Sequence, residues 1–303
     1  MTALTTIVFT THNRAETLRQ AIQAAKKQSV LVDIIVMDDA STDETPTMMA
    51  QEFPEIKYHR TTKNKGPCYH RNKGIELAKT EIVFPLDDDS ILQSPHTIEQ
   101  TLAEFDDPCI GAVAIPFINI LQDQHIWTKA PNNKETYLTH AYVAAAHAVR
   151  REQFLEAGGY RELFFYMGEE GDFAIRLLQN GFYVRLGSAD PIHHLQPPNR
   201  ISARADTFGR QNDLLFVHCN TPLMMLLPNL IGTLIKGFIF GLKVKRPVYA
   251  LRGFYQGFKL IFSQIDIRKP VSSKCFQAYR FLKKKQIIPL SEIQYRFSNI
   301  KSF

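Results

Sequence analysis

Hydrophobic and polar positions follow two rhythms over the first 90 residues. Short apolar runs, Thr6-Ile7-Val8-Phe9-Thr10 and Asp33-Ile34-Ile35-Val36-Met37, read as buried strands, with Ile56-Lys57-Tyr58-His59 as a shorter third. Between them, Ala15 to Lys27 sets Leu18, Ile22 and Ala25 on one face of a helix. Ser41-Thr42-Asp43-Glu44-Thr45 supplies N-cap chemistry for a second helix through Met48 and Met49. After a turn at Asn64-Lys65-Gly66, a helix from about Tyr69 to Ala78 leads into a strand at Ile82. Strands and helices alternating at this spacing predict an α/β fold: a mostly parallel mixed sheet with helices on both faces.

Further on the pattern loosens. Ile110 to Ile120 reads as one or two strands, and Gln122 to Thr139 as a polar, irregular loop carrying the single tryptophan, Trp127. Helices are expected from Arg151 to Ala157 and from Gly168 to Asn180, the second with an acidic start and a Gly181 stop. The segment Leu223 to Leu242 is apolar but interrupted by Pro228, Asn229, Gly232, Lys236 and Gly237. Spanning helices use about 20 cleaner apolar residues, so an interfacial or hairpin-like segment is expected here.

Charge sharpens this division. The 303-residue chain has a net charge of +6, yet residues 214–303 hold fifteen Lys and Arg against only Asp266 and Glu292, an excess of thirteen. The first 213 residues therefore carry a net −7. We divide the chain at 1–215, an acidic α/β domain, and 216–303, a basic, apolar, helical extension expected to associate with membrane. Such a tail suits an anionic membrane surface rather than nucleic acid. Four cysteines without a CxxC pair, and no visible signal peptide, predict reduced thiols and a cytoplasmic protein, peripheral on the inner face of the cell membrane.

The chemistry concentrates at strand ends. Asp38-Asp39 closes the second apolar run, and Asp87-Asp88-Asp89 closes Phe84-Pro85-Leu86. Adjacent carboxylates repel unless a cation sits between them, and hard oxygen ligands suit Mg²⁺ or Mn²⁺. In open α/β sheets, ligands bind beyond the carboxyl ends of strands. The first strand is followed by Thr10-Thr11-His12-Asn13-Arg14, without glycine. That excludes a dinucleotide-binding GxGxxG loop and argues against a sugar-phosphate nucleotidyltransferase.

Four segments, Ile7 to Arg14, Val36 to Asp43, Phe84 to Ser90 and Met167 to Leu177, together resemble the family 2 glycosyltransferases with the GT-A fold. Within that family the chain looks most like the bacterial rhamnosyltransferase-like branch of surface polysaccharide assembly. The resemblance covers Thr6 to about Asn220 and implies an inverting, metal-dependent transferase. It would move a hexose or deoxyhexose from a UDP- or dTDP-sugar to a saccharide acceptor, in particular a lipid-linked one. Thr10, His12 and Arg14 would line the nucleotide pocket, with His12 against the base. Asp39 would accept the base imide N–H, and Arg71 and Arg200 would contact the phosphates or ribose. Asp87 would face the ribose or a metal-bound water, Asp88 would stand behind it, and Asp89 would bind the cation with His193. Glu170, where the family usually has aspartate, would be the general base. Asp172 would orient the acceptor or pair with Arg176. The competing reading is a non-catalytic carbohydrate- or membrane-binding relative.

Overall fold

The computed structural model describes residues 3–197 and 203–297. It opens with β1 (Thr5–Thr11), α1 (Ala15–Ala25), β2 (Val32–Asp38), α2 (Thr45–Glu52), β3 (Lys57–Arg60), α3 (Pro67–Leu77) and β4 (Ile82–Asp87). Every residue of β1 is buried, because parallel strands β2 and β4 flank it and helices cover its faces. This parallel half, in the order β3-β2-β1-β4, matches the expected alternation. Its register sets Thr10 level with Met37 and Asp87, so the acidic strand ends finish at one edge.

Next come β5 (Ser90–Ile91), α4 (Thr97–Ala103), β6 (Ile110–Ala114), β7 (Phe117–Asn119), β8 (Ile126–Trp127), β9 (Tyr137–Thr139), β10 (His147–Arg150), α5 (Arg151–Glu156), α6 (Glu169–Gln179), β11 (Tyr183–Leu186) and β12 (Ile192–His194). Beyond β4 the large sheet becomes mixed, since β10 runs antiparallel to both β4 and β6. The polar stretch 122–139, expected as a loop, contributes β8 and β9, and β9 pairs with β11 near the sheet edge. A second sheet, ordered β5-β12-β7-β8, stands next to the acidic cluster.

The remainder is helical apart from one strand: α7 (Ala203–Asn220), α8 (Leu223–Lys243), α9 (Pro247–Ser263), α10 (Ser273–Lys285), β13 (Ile288–Pro289) and α11 (Leu290–Arg296). The boundary drawn at 215/216 falls inside α7. Residues after 270 return to the main core, where Cys275, Phe276, Tyr279, Leu282 and Ile288 are buried, and β13 pairs with β9.

The expected interruption at Pro228 does not occur, for α8 is one continuous helix of 21 residues. Proline in a helix frees the carbonyl four residues earlier. That residue is Met224, 92% exposed, so water can satisfy it. The amide of Asn229 also donates to the Met225 carbonyl at 2.7 Å. Two glycine seams hold the helices together: a Cβ on Gly253 would stand 2.3 Å from the Thr207 carbonyl oxygen, and one on Gly237 2.6 Å from Phe254.

Candidate active site

Three turns and one helix start build the site. The turn after β1 carries Asn13 at φ 55°, the turn after β2 carries Ala40 at φ 60°, and Met167 before α6 sits at φ 71°. Left-handed conformations of non-glycine residues cost energy and cluster where the surroundings over-determine the backbone. Here they turn the chain sharply so that the side chains beside them converge.

Asp39 and Arg71 are linked through the start of α3. Asp39 Oδ1 accepts the Lys65 N–H at 2.7 Å, and its Oδ2 accepts the Gly66 N–H at 2.9 Å. Gly66 is the N-cap of α3, one turn before Arg71. The buried Arg71 guanidinium donates to Glu169 Oε1 at 2.8 Å and to Asp87 Oδ1 at 2.5 Å. It thereby joins the end of β4 to the start of α6. His12 Nδ1 lies 2.7 Å from the Asp39 carbonyl oxygen, bringing that ring to the second strand end.

Thr10 is buried in β1, and Thr11 Oγ1 donates to Asp88 Oδ2 at 2.8 Å. Arg14 Nη1 bridges Asp88 Oδ1 at 3.1 Å and Asp89 Oδ2 at 2.7 Å. Burial pushes the Asp88 carboxyl up to about 7, even against the pull of Arg14. Burial would also raise Asp89, but the adjacent His194 imidazole and Arg14 outweigh it and hold that carboxyl at about 2.

Which histidine meets Asp89 is settled by strand parity. His193 and His194 are neighbours in β12, so they face opposite sides of the sheet. β12 pairs antiparallel with β5, setting His194 opposite Ser90, and the Leu195 N–H donates to the Asp89 carbonyl at 2.9 Å. His194, not the expected His193, therefore stands at the cluster, its Nε2 3.4 Å from Asp89 Oδ1. Its Nδ1 lies 2.9 Å from Asn119 Oδ1 and donates there, so Nε2 faces the carboxylate oxygen either with a proton, as the ion pair that lowers Asp89, or with a lone pair open to a cation. Both facing atoms are buried without a hydrogen-bond partner. Two opposed acceptors are stable only with a proton or a cation between them. An imidazole nitrogen, oriented through its other N–H and facing a carboxylate oxygen, fits a divalent cation. Among the described residues no three His, Cys, Asp or Glu side chains alone make such a site. Mg²⁺-type ions commonly complete their shell with substrate phosphates and water.

At the start of α6 the two glutamates point toward the cluster. Glu169 is buried on Arg71, with Oε2 unpartnered, and Glu170 Oε1 accepts the Ala144 N–H at 3.3 Å. Burial raises both carboxyls above the ordinary range, and their mutual repulsion adds to it at Glu169. The helix N-terminus opposes the effect by favouring negative charge.

Of the two roles expected for Asp172, the structure shows the pairing with Arg176 and not a place facing an acceptor. The Asp172 side chain is fully buried. Its Oδ1 accepts Asn220 Nδ2 at 2.8 Å and pairs with Arg161, and its Oδ2 takes Arg176 Nε at 3.1 Å and Nη2 at 2.9 Å. Two residues past Glu170, it lies about 200° round the helix from it. Asp172 thus anchors α6 to α7 and has no free acceptor for a substrate. Arg200 lies outside the described residues. Sequence reasoning set Thr11 in the turn that closes β1 but not its bond to Asp88, and it missed the Ala144 N–H, which had no signal.

Strand-end carboxylates, opposed by a helix-borne glutamate pair on this mixed sheet, define the GT-A class. The fold is shared at low identity with a Pyrobaculum calidifontis mannosyltransferase, PcManGT, solved with GDP-mannose and Mn²⁺ (TM-score 0.59, 16% identity, 85% of this chain and 88% of that one). It is shared also with S. aureus TarS 1–349 solved with UDP-GlcNAc (TM-score 0.58, 16% identity, 93% and 88% covered). The family model described as Glycosyl transferase family 2 matches residues 6–164, just over half of the chain, and the protein belongs to that family.

Among curated relatives, the Rhizobium meliloti succinoglycan biosynthesis protein ExoO is 34% identical over 90 residues, 29% of this chain and 26% of that protein. A Campylobacter jejuni GalNAc(5)-diNAcBac-PP-undecaprenol β-1,3-glucosyltransferase is 34% identical over 93 residues, 29% of this chain and 30% of its own. The chain thus matches less than a third of the length of either relative.

Proposed function

We propose that this glycosyltransferase transfers a hexose or deoxyhexose, with inversion, from a UDP- or dTDP-sugar to a lipid-linked saccharide during surface polysaccharide assembly. One observation carries the reading: Arg71 and Arg14 tie Asp87, Asp88, Asp89 and Glu169 into one cluster beside Glu170. Asp39 and His12 would receive the base at the neighbouring strand end, with Thr10 behind them. Arg14 and Arg71, now engaged with carboxylates, would turn toward the donor phosphates, since guanidinium matches either oxyanion.

A divalent cation, Mn²⁺ or Mg²⁺, held between Asp89 and His194 would offset the charge that builds on the departing diphosphate. Glu170 would take the proton of the acceptor hydroxyl as that oxygen attacks the anomeric carbon. The bond to the diphosphate breaks from the opposite face, its electron pair leaving with the phosphate. Ala144 N–H and the start of α6 keep Glu170 aimed; a raised pKa strengthens it as a base. The polysaccharide-assembly relatives support the substrate class, and the exposed apolar face of α8 supports a place on the inner face of the cell membrane.

The test is release of nucleoside diphosphate from a panel of UDP- and dTDP-sugars with Mn²⁺. Glu170→Gln should lower turnover by about 10²-fold or more while donor affinity persists. A wild-type protein that releases nothing from any donor would favour the binding-module reading, and full turnover in Glu170→Gln would remove that residue as the base.

A further inference from the structure

α8 is apolar on the side where a soluble protein is usually polar. Met224, Leu227, Pro228, Ile231, Ile235, Phe238, Ile239 and Leu242 recur at helical spacing and are all exposed. At about 100° per residue they form one stripe along the helix. Lys236 and Lys243 both fall on the same edge of it, about 100–120° from its centre by that spacing. The stripe is thus charged along one border.

A cavity of about 490 Å³ opens on that border, lined by Lys236 of α8 and by Arg280, Phe281, Lys283 and Lys284 of α10. Arg280, Lys283 and Lys284 stand at i, i+3 and i+4, so they share a face of α10. Lys283 also lies over the Phe216 ring at 6.0 Å from its centre. No Asp or Glu forms a salt bridge with any of the four cations among the described residues, although Asp213 of α7 attracts Lys283, whereas Arg14, Arg71, Arg161 and Arg176 at the catalytic end are all in salt bridges. Cations whose side-chain stems line one open groove repel one another, and an anion at the groove relieves that repulsion.

Apolar stripe and basic cavity share an edge, which selects a ligand with an apolar chain and an anionic head. Four cations exceed what the single charge of a phosphodiester needs and suit a diphosphate. Helix α10, which carries three of these cations, also packs on α6: the hydroxyl of Tyr279 comes within 3.1 Å of where a Cβ of Gly171 would be, next in sequence to Glu170.

We infer that Lys236, Arg280, Lys283 and Lys284 bind the diphosphate of a lipid-linked acceptor, whose chain lies along the α8 stripe in the membrane surface. This rests on the acceptor class proposed above and assigns it a site. The cavity would hold the acceptor by its head while the saccharide extends toward Glu170.

The experiment is flotation of the full chain with phosphatidylcholine vesicles doped either with a polyprenyl diphosphate or with phosphatidylglycerol at matched surface charge. No nucleotide sugar is added, so the outcome is independent of whether sugar is transferred. Binding to the diphosphate vesicles should be about tenfold tighter. The triple variant Arg280→Ala, Lys283→Ala, Lys284→Ala should lose that preference, with an overall weakening of about a hundredfold. Lys245→Ala with Arg252→Ala, which removes two cations outside the cavity, should keep the preference. Equal binding to both vesicle types would show a general anionic-headgroup contact and overturn the inference. So would a triple variant, folded by circular dichroism, that still prefers the diphosphate.

Discussion

Two ends of this molecule use charge in opposite ways. At the carboxyl edge of β1, β2 and β4, acidic groups are buried and almost every one is matched by a guanidinium or a backbone N–H. Along α8 and α10 the apolar surface is exposed, and among the described residues Lys236, Arg280, Lys283 and Lys284 line one groove without a salt bridge to Asp or Glu. A buried, paired cluster holds its carboxylates in place before the substrate comes, while its guanidinium groups can exchange one oxyanion for another. An exposed apolar stripe bordered by cations suits a surface to lie on. On the function proposed above, the first end would serve reaction and the second placement.

The contrast breaks most severely at Asp172. Removing a partner from a buried ion cluster leaves the others uncompensated, at about 3–5 kcal/mol. Asp172→Ala should therefore lose about that much stability in urea unfolding while Glu170 remains in place. A variant as stable as the parent but catalytically dead would instead return Asp172 to the reacting groups.

The placement end should respond differently. Ile235→Ser with Ile239→Ser removes two exposed side chains from the stripe and should leave urea unfolding nearly unchanged. Burial of an aliphatic side chain is worth about 1.5–3 kcal/mol, of which an interfacial helix realises only part. A loss of vesicle affinity of about tenfold or more is expected. If stability fell and flotation did not, α8 would be packing against protein rather than lipid.

The smallest effect concerns protons. As the proposed base, Glu170 would have to be ionised to accept the hydroxyl proton, and burial holds its pKa above the ordinary carboxylate value. As pH falls, kcat/KM should therefore decline earlier than about 4.3, the value for a free glutamate. An acid limb at or below that figure would mean the carboxylate is solvated, blurring the distinction between the two ends.

How far the sequence foretold this depends on how local each feature is. β1, β2 and α3 were legible because burial on both faces or one imposes a short period, and the acidic strand ends were legible as charges where apolar runs stop. His194 in place of His193 was not, because the parity of β12 is set by pairing with β5, a hundred residues earlier in the chain. Asp172 was half legible: Arg176 lies one turn away, but Asn220 reaches it from α7. The strand β9 inside a polar stretch was hidden because its stabilising partners, at 184–185 and 288–289, are remote in sequence. α8 misled in another way, since an exposed helix tolerates the proline that a buried one would not.

The pairing of Ile288 and Pro289 with Leu138 and Tyr137 has a practical consequence for anyone wishing to make the enzyme easier to handle. Cutting the chain after α7 would discard the apolar helices but also strip the outermost strand and uncover the side chains beneath α10. Polar substitutions along the exposed face of α8 would keep the sheet's border closed and leave α9 packed on Phe164, Leu214 and Leu215. A soluble form is thus to be sought by substitution on that face, not by trimming from the end.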